Sequence, residues 1–143
     1  MNETQATLTS NNPPQPGSSI VYRVVSGAIA FVLWGGWALY VNFEFGKTVA
    51  LKACLTQGTA SFVITLFMVR SVEWLYKRLA PGLLAMTIPS ILTVSFTGTC
   101  VALAHWFMGT PRIVATIAPA LTVAILFCFF TTYKLSQRKP SHG

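Results

Sequence analysis

The sequence predicts an all-α integral membrane protein, a four-helix bundle preceded by a disordered tail. Two observations carry that expectation. Four apolar runs, each near or above the ~20 residues that cross a hydrocarbon core of about 30 Å, fill most of the chain after residue 19. Of 143 residues, 53% are hydrophobic and only 9% charged, so a soluble fold would expose more apolar surface than water tolerates. The runs lack the alternation of barrel strands, which leaves helices as the way to satisfy every backbone group in lipid.

Residues 1–19 are rich in Asn, Gln, Thr and Ser, with Pro13, Pro14, Pro16 and Gly17 close together. Such a segment buries too little to offset its ordering entropy, and it reads as a disordered tail. It lacks basic residues and precedes a full-length apolar run, so the first span reads as an uncleaved anchor. The spans fall at residues 24–43, 53–72, 83–107 and 113–133, within a membrane domain covering 20–135. A basic cytoplasmic tail occupies 136–143. Pro81 and Gly82 break the chain after span two. Gly109 reads as a helix stop, Thr110 as an N-cap and Pro111 as the first residue of span four, so spans three and four form a tight hairpin.

Charge placement predicts orientation. Arg23, Arg70, Lys77, Arg78, Lys134, Arg138 and Lys139 mark one side, seven cations against Lys47, Lys52 and Arg112 on the other. The positive-inside rule then puts both termini in the cytoplasm. Tyr22, Trp74, Tyr76 and Tyr133 sit at that inner edge, with Tyr40 and Trp106 at the outer one. The formal charge of +7 does not imply nucleic acid, because these cations sit at the ends of apolar runs, where they contact anionic lipid headgroups. Beyond span two, Arg70, Glu73, Lys77 and Arg78 continue at helical spacing around Trp74, Leu75 and Leu79. That stretch reads as an amphipathic helix end in the headgroup layer, with Glu73 placed to pair with Arg70 or Lys77.

Small residues supply packing faces, because they let backbones approach where the hydrophobic effect cannot drive helices together. Cys54, Gly58, Ser61 and Thr65 form one stripe; Ser95, Gly98 and Ala102 form another, ending at His105. Gly35 and Gly36, and Ala115, Ala118, Ala120 and Ala124, offer similar surfaces. Pro89 and Pro119 are expected to kink their helices.

Charged and strongly polar groups are costly in lipid, and none of the acids lies within a span. Glu44, Lys47, Lys52, Gln57, His105 and Arg112 all belong to the outer half of the bundle. They read either as an ordinary polar rim or as a shallow anion site, with Lys52 and Arg112 supplying charge and Gln57 and His105 hydrogen bonds. Arg112 opens span four, where the helix dipole disfavours a cation, and so needs a partner.

No catalytic, cofactor or metal motif is expected. The chain has no Asp, and Glu3, Glu44 and Glu73 are far apart. Cys54, Cys100 and Cys128 lie singly in apolar runs. A proton-handling pair of His105 and Glu44 is the one enzymatic arrangement left.

Span count and size are similar to the small multidrug-resistance transporters and the GtrA-like group. However, Phe31 to Trp37 carries no carboxylate where the former place one. The stretches 34–42, 55–62 and 110–122 resemble small uncharacterised four-span inner-membrane proteins of proteobacteria, a resemblance that implies a bacterial inner-membrane location and no particular activity. The expected function is non-catalytic association in the membrane, as a homo-oligomer or as an accessory subunit of another membrane protein. A small transporter or carrier for an anionic or lipid-linked substrate is the alternative. It would need a polar path, for which Thr56, Thr59, Ser61, Thr65, Ser90, Thr93 and Thr97 are the candidates, unless they bond their own helices.

Overall fold

In the computed structural model, residues 20–79 and 82–137 are described. The expected disordered tail, Pro81 and the basic tail from residue 138 lie outside the described residues. The rest is an all-α four-helix bundle: α1 (Ile20–Asn42), a one-turn 3-10 helix (Phe43–Phe45), α2 (Lys47–Arg78), α3 (Leu83–Phe107) and α4 (Ile113–Gln137). All four long helices have the length and apolar character to cross a membrane, making the chain a multi-pass membrane protein. The α1–α2 and α3–α4 connections share one end of the bundle, the loop end. The opposite, terminal end carries the start of α1, the α2–α3 connection and the end of α4.

The α1–α2 pair is built on reciprocal glycine–aromatic contacts. A Cβ added at Gly27 would lie 2.9 Å from the Phe62 ring, and one at Gly58 would lie 2.9 Å from the Phe31 ring. One turn further, a Cβ at Gly35 would approach the Cys54 backbone carbonyl to 3.0 Å. Each helix thus offers a glycine notch to the other's ring, which brings the backbones into close contact. Gly36, the next residue and exposed, has nothing within 4 Å of where its Cβ would lie. The stripe at Gly58 is therefore occupied within the chain. Gly98 behaves similarly, since a Cβ there would meet Leu121 of α4 at 3.2 Å.

α2 is the longest element, 32 residues or about 48 Å, so it outruns a hydrocarbon core of about 30 Å. Its overhang at the terminal end carries Trp74, whose ring lies 4.4 Å from the Arg78 guanidinium. Glu73 forms no ion pair with Arg70 or Lys77, contrary to the expected pairing. Rings at the membrane edge give these cations a local partner, with Lys134 4.8 Å from Phe130 on α4.

The α3–α4 hairpin closes differently from the expected N-cap arrangement. Gly109 (φ 70°) ends α3 in a Schellman motif: Thr110 N–H donates to the His105 carbonyl at 3.0 Å, and Gly109 N–H to Trp106 at 3.1 Å. Pro111 and Arg112 form a turn, and α4 begins at Ile113, with Thr116 N–H donating to the Arg112 carbonyl at 2.9 Å. The Thr110 hydroxyl does not cap α4, because it is engaged by the His105 ring. Both α3 and α4 run on through Pro89 and Pro119.

Candidate functional site

The polar residues expected at one rim resolve into two separate pairs. His105 and Gln57 are buried (0% and 2% exposed). The ring Nε2 lies 2.8 Å from Gln57 Oε1, an acceptor to which it donates, and Nδ1 lies 2.9 Å from the Thr110 hydroxyl, which can then donate to it. This sharing of donors and acceptors suits a neutral imidazole, and it fastens α2, α3 and the hairpin turn together. Glu44 and Arg112 form the second pair, at 2.5 Å and about half exposed. Arg112 also lies 5.5 Å from the Phe45 ring. Glu44 thereby supplies the partner that a cation at the start of α4 requires. His105 and Glu44 are not brought together. Lys52 joins neither pair: it is exposed, and its carbonyl accepts from Thr56. A convergent anion site of Lys52, Gln57, His105 and Arg112 does not form.

Asn42, which sequence reasoning passed over, organises the loop end. It is completely buried at the end of α1. Its amide nitrogen donates to Ala38 O at 2.9 Å and to Thr116 Oγ1 at 2.8 Å, while its Oδ1 accepts from Arg112 N–H at 3.4 Å. One turn deeper, the Trp37 indole donates to Ala115 O at 3.0 Å. These bonds join α1 to α4 only at the loop end. The signal in the sequence was a lone amide at the end of an apolar run, a group too costly to bury without partners.

Toward the terminal end α1 and α4 part, and the gap between them is a crevice of about 980 Å³. Arg23, Ser26 and Trp34 of α1 form one wall, and Ala120, Ala124 and Phe127 of α4 the other. α2 supplies the floor from Gln57 to Glu73, and Thr97 and Val101 of α3 lie behind. Along α2 this is about 24 Å. Val69, Val123 and Phe127 line the crevice yet are 37%, 52% and 43% exposed, so it opens sideways, where lipid would lie.

The lining is less polar than its residue names suggest. Thr65 donates to Ser61 O at 2.7 Å and Thr97 to Thr93 O at 2.8 Å, so both hydroxyls are spent on their own helices. Thr56 does the same, and Thr59 is exposed on the surface. The Ser90 and Thr93 hydroxyls are buried without partners and do not line the crevice. A continuous polar path is therefore not formed by these residues. Polarity is concentrated at the two ends. At one end is Gln57, whose amide nitrogen has no acceptor among the described residues once Oε1 is given to His105. Arg23, Arg70 and Glu73 mark the other end. The Arg23 guanidinium donates to the Leu66 carbonyl, which spends one of its five N–H groups and fixes it across the crevice mouth.

Other expected groups remain outside this feature. Ser61 lines the crevice, but Gly98 and Ala102 line a separate shallow groove of about 460 Å³ between α3 and α4. Among the described residues, no three His, Cys, Asp or Glu side chains are grouped to hold a metal ion. No known protein family, curated protein or solved structure matches the chain.

Proposed function

We propose that this protein is a non-catalytic membrane binder or carrier whose ligand is an amphipathic, lipid-type molecule held in the crevice between α1 and α4. One observation carries this reading: a laterally open cavity with apolar walls has, among the described residues, its fixed charges only at the terminal-end mouth. An acyl chain suits the walls, and a charged head suits the mouth. The dimensions agree. From Leu66, at the level of Arg23, to Gln57 is about 14 Å along α2, room for part of an acyl chain. A water-filled ion path fits less well, because the threonine hydroxyls are turned back onto their helices. With both termini cytoplasmic in a bacterial inner membrane, the mouth faces the cytoplasmic leaflet.

The test is native mass spectrometry of the full chain released from mild detergent. Retained lipid that disappears in Ala124→Trp, which fills one wall, supports the proposal. Equal retention by wild type and variant contradicts it.

A second reading is association with a copy of the chain or with another membrane protein, and the α3–α4 groove favours it. Ile91, Ser95 and Ala102 border this open groove, a surface on which another helix can pack beside the Leu121 side chain that covers Gly98. Ala102→Leu would then reduce assembly size in detergent, and an unchanged size removes this face from an interface.

A further inference from the structure

The three charges at the mouth of the crevice are arranged for a particular head group. Arg23 is part-buried and retains unspent N–H donors after its bond to Leu66. Arg70 is exposed, Glu73 is half-buried, and no ion pair joins Glu73 to either cation. All three line the same cavity. Among the described residues no ion pair is made by any of the three, so each is left to gain from a counter-charge on a ligand.

Their order along α2 bears on the ligand. The Arg23 guanidinium lies level with Leu66, and on the α2 backbone Arg70 follows about 6 Å toward the terminal end and Glu73 about 4.5 Å beyond Arg70. Moving outward from the apolar walls, a ligand therefore meets two guanidiniums and then a carboxylate. We infer that the crevice takes a zwitterionic phospholipid-type amphiphile, with its phosphate between Arg23 and Arg70 and its terminal ammonium at Glu73. This inference rests on the lipid-crevice reading above. Guanidiniums match phosphate oxygens in geometry and charge, whereas a carboxylate repels a second negative charge and attracts an ammonium. A purely anionic head would meet Glu73 unfavourably. A purely cationic one would meet Arg23 and Arg70.

The experiment offers the full-length protein equimolar phosphatidylethanolamine and phosphatidylglycerol with identical acyl chains, and reads bound lipid by native mass spectrometry. Wild type is expected to retain the zwitterionic lipid preferentially. Glu73→Gln is expected to shift the ratio about fivefold toward the anionic lipid, the scale of one partly exposed ion pair. Arg23→Gln is expected to weaken both lipids; Arg23→Lys, which keeps the charge, serves if the glutamine variant fails to fold and should retain more than Arg70→Gln combined with it. Soluble glycerophosphoethanolamine in excess should not displace the lipid, and displacement would show that the head alone is the ligand. A wild-type preference for phosphatidylglycerol, or a ratio unmoved by Glu73→Gln, overturns the inference. If Ala124→Trp still removes bound lipid in that case, the crevice reading stands and only the head-group assignment falls.

Discussion

Trp37 donates its indole N–H to the Ala115 carbonyl at 3.0 Å, and this is the carbonyl that Pro119 leaves without a helical donor. Proline at i+4 has no N–H to give, so an orphan acceptor would otherwise remain inside the membrane domain. The indole makes that vacancy into a joint between α1 and α4. Together with Asn42 it holds the two helices at the loop end while the crevice opens between them at the other.

This joint predicts a coupling that can be measured. Trp37→Phe should lower stability in detergent by about 1 kcal/mol, the scale of an interhelical hydrogen bond in a membrane protein. In a Pro119→Ala background the Ala115 carbonyl regains a helical donor, so the same substitution should cost clearly less. Equal costs in the two backgrounds, read by denaturant titration, would show that the bond is incidental to the proline.

Asn42 should matter more than the ion pair beside it. The Glu44–Arg112 pair is about half exposed, and such pairs contribute about 0–1 kcal/mol. Asn42→Ala removes a fully buried group with three hydrogen bonds and strands the partners it served. We expect Asn42→Ala to cost about 1–3 kcal/mol and Glu44→Gln less. The reverse ranking would place the fastening of the loop end in the ion pair.

Glycine substitutions should separate by what their Cβ meets. Gly35→Ala pushes against the backbone carbonyl of Cys54, which cannot rotate away, and should lower stability and abundance most. Gly27→Ala and Gly58→Ala press on the rings of Phe62 and Phe31 and should cost less if those rings shift. Gly36→Ala meets nothing and should be neutral or slightly stabilising. Uniform effects across the four would mean that α1 and α2 do not pack in this register.

The buried pair Gln57–His105 should behave as a unit. His105→Leu leaves the buried Gln57 without its partner, an expected loss of about 1–3 kcal/mol. Adding Gln57→Leu removes the stranded group and should recover part of that loss. Strictly additive losses would indicate that the two side chains act independently.

The spans were legible because crossing a bilayer demands long apolar runs, a property written along the chain. Gly109 was legible as a helix stop because few other residues adopt its conformation readily. Span four begins at Ile113 as expected, but the cap at Thr110 and the helical Pro111 are not formed, because whether Thr110 caps a helix or binds a histidine depends on where His105 points. Glu44, Gln57, His105 and Arg112 were correctly placed in one half of the bundle. Their division into two pairs, and the exclusion of Lys52, depends on the rotation of each helix about its axis. The crevice was the least legible feature. It arises from the parting of α1 and α4, and Arg23, Arg70 and Glu73 look in sequence like an ordinary anchor at a membrane edge. Gly58 and Gly98 were recognisable as packing residues, but not as residues occupied by Phe31 and Leu121 of the same chain.

Photo-crosslinking with a phospholipid that carries a diazirine midway along its acyl chain, applied to the full protein in a bilayer and mapped by peptide mass spectrometry, tests whether lipid enters the crevice. Labelling concentrated on crevice residues such as Ile64, Ala120 and Ala124, and lost from Ile64 when Ala124 is replaced by Trp, is the result predicted here. Labelling confined to outward-facing residues such as Phe96 and Leu126, with Ile64 and Ala120 unmodified, would contradict the account.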